Sequence, residues 1–236
     1  MNYSKLASKL RTKLSKFSGY VGKNLDKTAR RFVNEAIYGT IYAQSVMLTE
    51  IGRSLETEVR LKKIEERFCR QLKKEGLWKS IHQQVLCDSV SYIKDDTLLI
   101  LDLSDLFKKY AEKMEYLAKV RDGSDGGTIV NGYWTVQVIG AELGKHEVLP
   151  LYQELYSQEA PGFKSENTQI INAIDMVSGH IGDKGIWVID RGGDRDILYS
   201  HLLKGNSSKR FVIRLVGHRN LICGNKEELA LKLAYK

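Results

Sequence analysis

Gly185-Ile186-Trp187-Val188-Ile189-Asp190-Arg191-Gly192 is a short apolar run closed by an acid, and Thr97-Leu98-Leu99-Ile100-Leu101-Asp102 repeats that design earlier in the chain. A continuous apolar run of this length reads as a buried strand, so its closing aspartate is delivered to the end of a sheet. Taken singly, such an acid has a plainer reading as the cap of the next helix. Two of them on different strands form the minimal apparatus for holding divalent metal ions at a phosphodiester. The pair Asp102 and Asp190 therefore points toward nucleic-acid chemistry.

Around the two runs the periodicity is that of an α+β or α/β domain with a mixed sheet. Strands are expected at 97–102, 130–140, 146–151, 185–190 and 210–216, and helices at 105–118, 167–181 and 194–204. Asp122-Gly123-Ser124-Asp125-Gly126-Gly127 reads as a loop or hairpin tip.

Upstream of residue 95 the pattern is helical throughout. Leu6, Leu10, Leu14 and Phe17 fall on one face of a helix over 3–17, with Ser4 as its cap. Residues 28–56 read as helical, interrupted at Gly39 and Gly52, with Phe32, Ile37, Ile41, Val46, Leu48, Ile51 and Leu55 as core candidates. Leu61, Ile64, Phe68 and Leu72 define a helix over 57–75 that Gly76 ends, and another covers 77–90. The expected division is a basic helical DNA-binding region, 1–94, followed by a mixed-sheet domain, 95–236.

Charge follows the same division. Residues 1–94 carry 19 Lys and Arg against 9 Asp and Glu, whereas residues 95–236 carry 18 against 20. The net charge of +8 thus comes wholly from the first part. Such a segment suits a polyanion, with Lys9, Arg11, Lys13, Arg30 and Arg31 as candidate DNA contacts. The plain alternative is a solvated basic helix face. The first helix could lie on DNA, on an anionic membrane or on the body of the protein, membrane being the weakest choice.

Cys69, Cys87 and Cys223 form no CxxC pair and have no histidine at metal-ligand spacing, which suggests a reducing compartment without a disulfide framework or zinc site. No window approaches a membrane span, and the N-terminus lacks the apolar stretch of a secretory signal. The glycine pairs are not followed by Gly-Lys-Ser/Thr, so no P-loop is present. The five histidines and Ser104 and Ser124 show no triad or ligand spacing. Asp105 and Asp194 read as helix N-terminal acids.

In order and spacing, several segments together resemble the bacterial insertion-sequence transposases of the DDE class. They are Leu101-Asp102-Leu103-Ser104-Asp105 with Lys108, Asp122-Gly123-Ser124, Asn131-Gly132-Tyr133, Leu149-Pro150-Leu151, Trp187-Val188-Ile189-Asp190-Arg191-Gly192-Gly193-Asp194, and Phe211-Val212-Ile213-Arg214. The resemblance spans about residues 30–220. It implies a ribonuclease H-like fold whose first and fourth strands lie side by side, each carrying one metal-binding aspartate, here Asp102 and Asp190. It further implies Mg²⁺, with Mn²⁺ as a substitute, and DNA contacts at Arg191 and Arg214. The implied partners are double-stranded DNA at the element's ends and a second transposase chain, in a bacterial cytoplasm at the nucleoid.

One part of the family pattern is missing. The third acid should be a glutamate in Tyr-x2-Arg-x3-Glu-x6-Lys, and neither Glu227 nor Glu228 has that context. Only 46 residues follow Asp190. The expectation is a truncated, frameshifted or split transposase, incomplete at the C-terminal end of its catalytic domain. Two functional readings follow. One is a DDE transposase in kind, performing DNA transposition. The other is a non-catalytic DNA-binding fragment that inhibits a full-length transposase.

Overall fold

The computed structural model describes residues 3–108, 110–121, 127–204 and 209–234. The Asp122-Gly123-Ser124 loop singled out above lies outside them. The chain forms two compact units, Met1–Cys87 and Asp88–Lys236. The division falls within a helix, a few residues before the residue-94 boundary expected from charge.

The first unit is helical: α1 (Tyr3–Val21), α2 (Lys27–Ala43), α3 (Leu48–Ser54), α4 (Leu61–Leu72) and the start of α5 (Leu77–Val90). Its core gathers Val21, Leu25, Ala29, Phe32, Val33, Ile51, Ile64, Phe68 and Leu77. Phe32 and Phe68 meet edge to face at 5.2 Å, an arrangement that aligns ring edge with ring face. Asp26 caps α2, accepting from the N–H groups of Thr28 and Ala29. The Lys74 ammonium beside it, more than these bonds, holds its carboxyl well below the usual range.

Several local expectations are corrected here. Ser4 lies inside α1, not at its cap. Leu10 and Phe17 remain exposed, because α1 meets α2 through buried Ser18, Val21 and Gly22 near its end. Gly39 does not break α2. It is where α3 comes closest, since a Cβ there would stand 2.6 Å from Ile51 Cγ2 and 2.8 Å from Ser54 Oγ. Ile41, Val46 and Leu72 are exposed, not core. α2 stops at Gln44, which turns left-handed at φ 50, so Val46 falls in the connection; Leu72 ends α4.

The second unit is built on β1 (Leu98–Phe107), β2 (Ala118–Arg121), β3 (Ile129–Ala141), β4 (Val148–Tyr156), α6 (Glu166–Ile181), β5 (Ile186–Ile189), α7 (Asp196–Leu202) and β6 (Phe211–Ile213). The strands form one mixed sheet in the order β2-β3-β1-β5-β6, with β4 also paired to β3. β1 and β3 are antiparallel over the whole length of β1. β1, β5 and β6 run parallel. Gly132 pairs with Phe107 on one side and with Ala118 on the other, so β2 and β4 share the edge of β3 that faces away from β1. A separate hairpin follows, β7 (Asn220–Cys223) with β8 (Lys226–Leu229), and then α8 (Ala230–Ala234).

α6 carries the chain from β4 to β5 and buries Ile170, Ala173, Ile174, Val177 and Ile181. Ser165 caps it by accepting from the Thr168 N–H at 3.1 Å. Leu99, Leu101, Val120, Val136, Val138, Leu151, Trp187 and Ile189 are among the buried sheet residues of this unit.

The helix expected over 105–118 is not found among the described residues of that range. Asp105 lies within β1, and residues 108–117 form the link by which the chain passes around the end of β3. Two carbonyls of that link are taken by side chains of β3. Asn131 Nδ2 donates to the Ala111 carbonyl at 2.8 Å and the Tyr133 hydroxyl to the Glu115 carbonyl at 2.7 Å. These bonds replace the i to i+4 bonds a helix would need.

Candidate metal and phosphate site

Parallel pairing of β1 with β5 runs in register from Leu98–Ile186 to Leu101–Ile189. One step further along both strands stand Asp102 and Asp190. The strand bearing Asp190 is fifth in the chain, not fourth, because short β2 intervenes. Ile189 pairs in turn with Ile213, and the Arg214 N–H donates to the Ile189 carbonyl at 3.2 Å. β1 runs on to Phe107, so Asp102 stands midway along it and does not close the strand as expected. It is level with Asp190 and Arg214, which lie just past the ends of β5 and β6, on three neighbouring strands that in a sheet lie about 4.8 Å apart. All three are exposed, immediately beyond buried Leu101 and Ile189. Alternation along the strands turns Asp102 and Asp190 to the face of half-buried Ile100 and Val188.

Each carboxylate is held by one local bond. The Ser104 hydroxyl donates to Asp102 Oδ2 at 2.8 Å, and the Gly192 N–H donates to Asp190 Oδ1 at 2.8 Å. The latter bond makes Asp190 the cap of a single 3-10 turn, Arg191–Gly193, so the cap reading and the ligand reading are compatible. The second oxygen of each carboxylate has no hydrogen-bond partner among the described residues. A hard divalent cation binds such exposed, oriented oxygens and completes its shell with water and phosphate. The residues present thus fit an ion of the Mg²⁺ type.

Among the described residues no group of three or more His, Cys, Asp or Glu side chains is set to hold a metal ion. Glu227 and Glu228 lie on β8, which pairs only with β7 among the described strands, and Asn220 Nδ2 donates to Glu227 at 2.9 Å.

Sequence reading missed the group that braces this end of the sheet. Asp194 does not begin a helix: α7 starts at Asp196, with Arg195 as its cap. The Asp194 side chain is fully buried and pairs with Arg219 at 2.6 Å. It also accepts from the Val216 N–H at 2.6 Å and the Tyr199 hydroxyl at 3.1 Å. Burial pushes its carboxyl up, but the Val216, Arg219 and Tyr199 donors outweigh that and hold it below the usual range. Arg219 reaches back to the Asp194 carbonyl at 2.9 Å and across to Asp196 at 2.7 Å. This group ties the turn after Asp190 to the segment after Arg214. Its one sequence signal is the spacing Asp190-x3-Asp194, too short a pattern to separate from helix capping.

The remaining basic candidates divide by unit. Arg191 is exposed in the 3-10 turn beside Asp190. Lys9, Arg11 and Lys13 are exposed on α1. Arg30 and Arg31, also exposed, already have partners: Arg30 Nε donates to the Leu25 carbonyl, and Arg31 pairs with Glu35 at 2.7 Å. Cys69 and Cys87 are free and exposed. No helix among the described residues is long and apolar enough to cross a membrane. The chain matches no protein-family model and no curated protein.

Proposed function

We propose that this chain is a DNA-acting protein of the DDE transposase kind, with a ribonuclease H-like second unit and a basic first unit that holds DNA. The observation that carries this reading is that Asp102, midway along β1, is level with Asp190 and Arg214 just past the ends of the adjacent β5 and β6. An antiparallel β1-β3-β4 group, extended in parallel by β5 and β6 after α6, supports the ribonuclease H-like reading. Asp102 and Asp190 would hold Mg²⁺ or Mn²⁺, which when bound activates an attacking hydroxyl and stabilises the leaving oxygen. Ser104 and the Gly192 N–H orient the two carboxylates. Arg191 and Arg214 offer guanidinium groups that can grip a phosphate.

A second reading is favoured by the absence, among the described residues, of a third acid beside Asp102 and Asp190. It is a DNA-binding protein that occupies element ends without cutting and so restrains an active transposase at the nucleoid. Incubation with supercoiled plasmid in Mg²⁺ or Mn²⁺ separates the two. Nicking that Asp102→Ala and Asp190→Ala both abolish supports the enzyme. Bound but intact plasmid supports the binding protein, and is the expected outcome for the isolated chain. Failure to bind plasmid at low salt would overturn both.

The basic unit gives a separate test. Replacing Lys9, Arg11 and Lys13 together by glutamine should weaken duplex binding and flatten its log–log salt slope by up to about 2.7, about 0.9 for each phosphate no longer neutralised. An unchanged slope would show that α1 does not touch DNA.

A further inference from the structure

Past the end of β1 opens a cavity of about 670 Å³, lined by parts of the 108–117 link, β4 and the turn over 157–163. Four aromatic rings, Tyr116, Tyr133, Tyr156 and Phe163, form much of its wall. Tyr156 and Phe163 lie parallel, 4° apart in plane, at 5.9 Å. The cavity is braced from both sides. The Ser157 hydroxyl donates to the Tyr116 carbonyl at 2.6 Å and the Tyr133 hydroxyl to the Glu115 carbonyl at 2.7 Å.

Three features are not explained by packing. Tyr116 has φ 50, a left-handed conformation costly for a bulky side chain, yet the residue is 44% exposed. Backbone strain held by surrounding bonds is a mark of functional positions. The Tyr156 side chain is buried, but its hydroxyl has no partner among the described residues, although buried polar groups are normally paired. Half-buried Lys108 lines the same cavity with no carboxylate partner among the described residues. Leu106 and Leu155 extend the lining as exposed apolar surface.

A cavity with aromatic walls and an ammonium group suits a flat ring joined to a phosphate. Leu106 follows Asp102 by four residues on the same strand and face. That places the cavity mouth about 13 Å from the acid pair, or roughly four base steps of 3.4 Å. We infer that this cavity receives an unstacked nucleobase of the DNA held at the Asp102–Asp190 end. Its ring would pack on Tyr116 and Phe163, with Lys108 at the neighbouring phosphate. The inference rests on the DNA-acting reading above.

The test uses the full chain and two labelled DNAs, a perfect duplex and a gapped duplex with one unpaired 2-aminopurine. Binding is read by anisotropy of an end label, and stacking by 2-aminopurine fluorescence. The native chain should bind both DNAs and quench only the unpaired base. Tyr116→Asn suits the left-handed backbone while removing the ring. It should lose the quench and weaken gapped-duplex binding by about 5- to 150-fold, leaving perfect-duplex binding unchanged. Tyr116→Phe should behave as the native chain. If the native chain binds both DNAs without quenching, or Tyr116→Asn quenches normally, the cavity is not a base site; a peptide segment of a protein partner would then be the occupant to seek. Absence of binding to either DNA would instead overturn the DNA-acting reading and this inference with it.

Discussion

Asp190→Ala is expected to weaken divalent-metal binding by about 100-fold or more, and Asp102→Ala to do the same. The expectation follows from the strand register: the two carboxylates stand one step past the Leu101–Ile189 pair and each supplies one unpartnered oxygen, so loss of either leaves a lone acid that holds Mg²⁺ only weakly. Outer partners of a metal site typically contribute 10- to 100-fold in affinity, and a direct ligand should exceed that. Ser104→Ala supplies the graded control. It removes only the bond that orients Asp102 and should cost about 10-fold. Mn²⁺ titration followed by water-proton relaxation gives all three values. Equal affinities in the native chain and both aspartate variants would remove the metal site from Asp102 and Asp190.

Asp194→Ala is expected to destabilise the second unit by about 3 kcal/mol, in the range for breaking a buried ion pair. The native carboxylate is fully buried and has three donors. Alanine would leave the Val216 N–H, the Tyr199 hydroxyl and the Arg219 guanidinium without their acceptor. Because folding holds the Asp194 carboxyl below its ordinary value, the stabilisation is present above the unfolded pKa of about 3.9. It is lost as pH falls through the lower folded value. Urea unfolding of the native chain should therefore show stability declining below about pH 4, with a shallower decline in Asp194→Ala. Identical unfolding midpoints for the two chains at pH 7 would show that the group does not brace the sheet.

Legibility in the sequence followed the range of the interactions. The apolar runs before Asp102 and Asp190 were readable as strands because a buried strand must be apolar along its length, although β1 continues past Asp102 to Phe107, where its polar Ser104 and Asp105 hid it. The helices over 61–72, 77–90 and 166–181 were readable because each has a marked start, stop or apolar period. The link over 108–117 was misread as helix because its charged and apolar residues alternate at helical spacing. The bonds that decide its path come from Asn131 and Tyr133, distant in sequence. Asp194 was misread for the same reason: its partners Val216 and Arg219 follow it by more than twenty residues. Exposed Leu10 and Phe17 on α1 show the converse limit, since periodicity locates a face without saying what covers it. Short β2 and the β7–β8 hairpin had too few residues to present a period at all.

The parallel pairing of β1 with β5 also sets an order of events during synthesis. Asp102 leaves the ribosome 88 residues before Asp190. β4 is complete only at Tyr156, 33 residues before the end of β5, so at about 5–20 residues per second the β1-β3-β4 meander exists for about 2–7 s with its Leu98–Leu101 edge bare. An apolar strand edge is the surface most prone to pair with another chain. The acid pair is thus assembled late, by the same docking step that closes the chain's main aggregation hazard. A nascent chain stalled before β5 would be exposed to self-association for as long as the stall lasts.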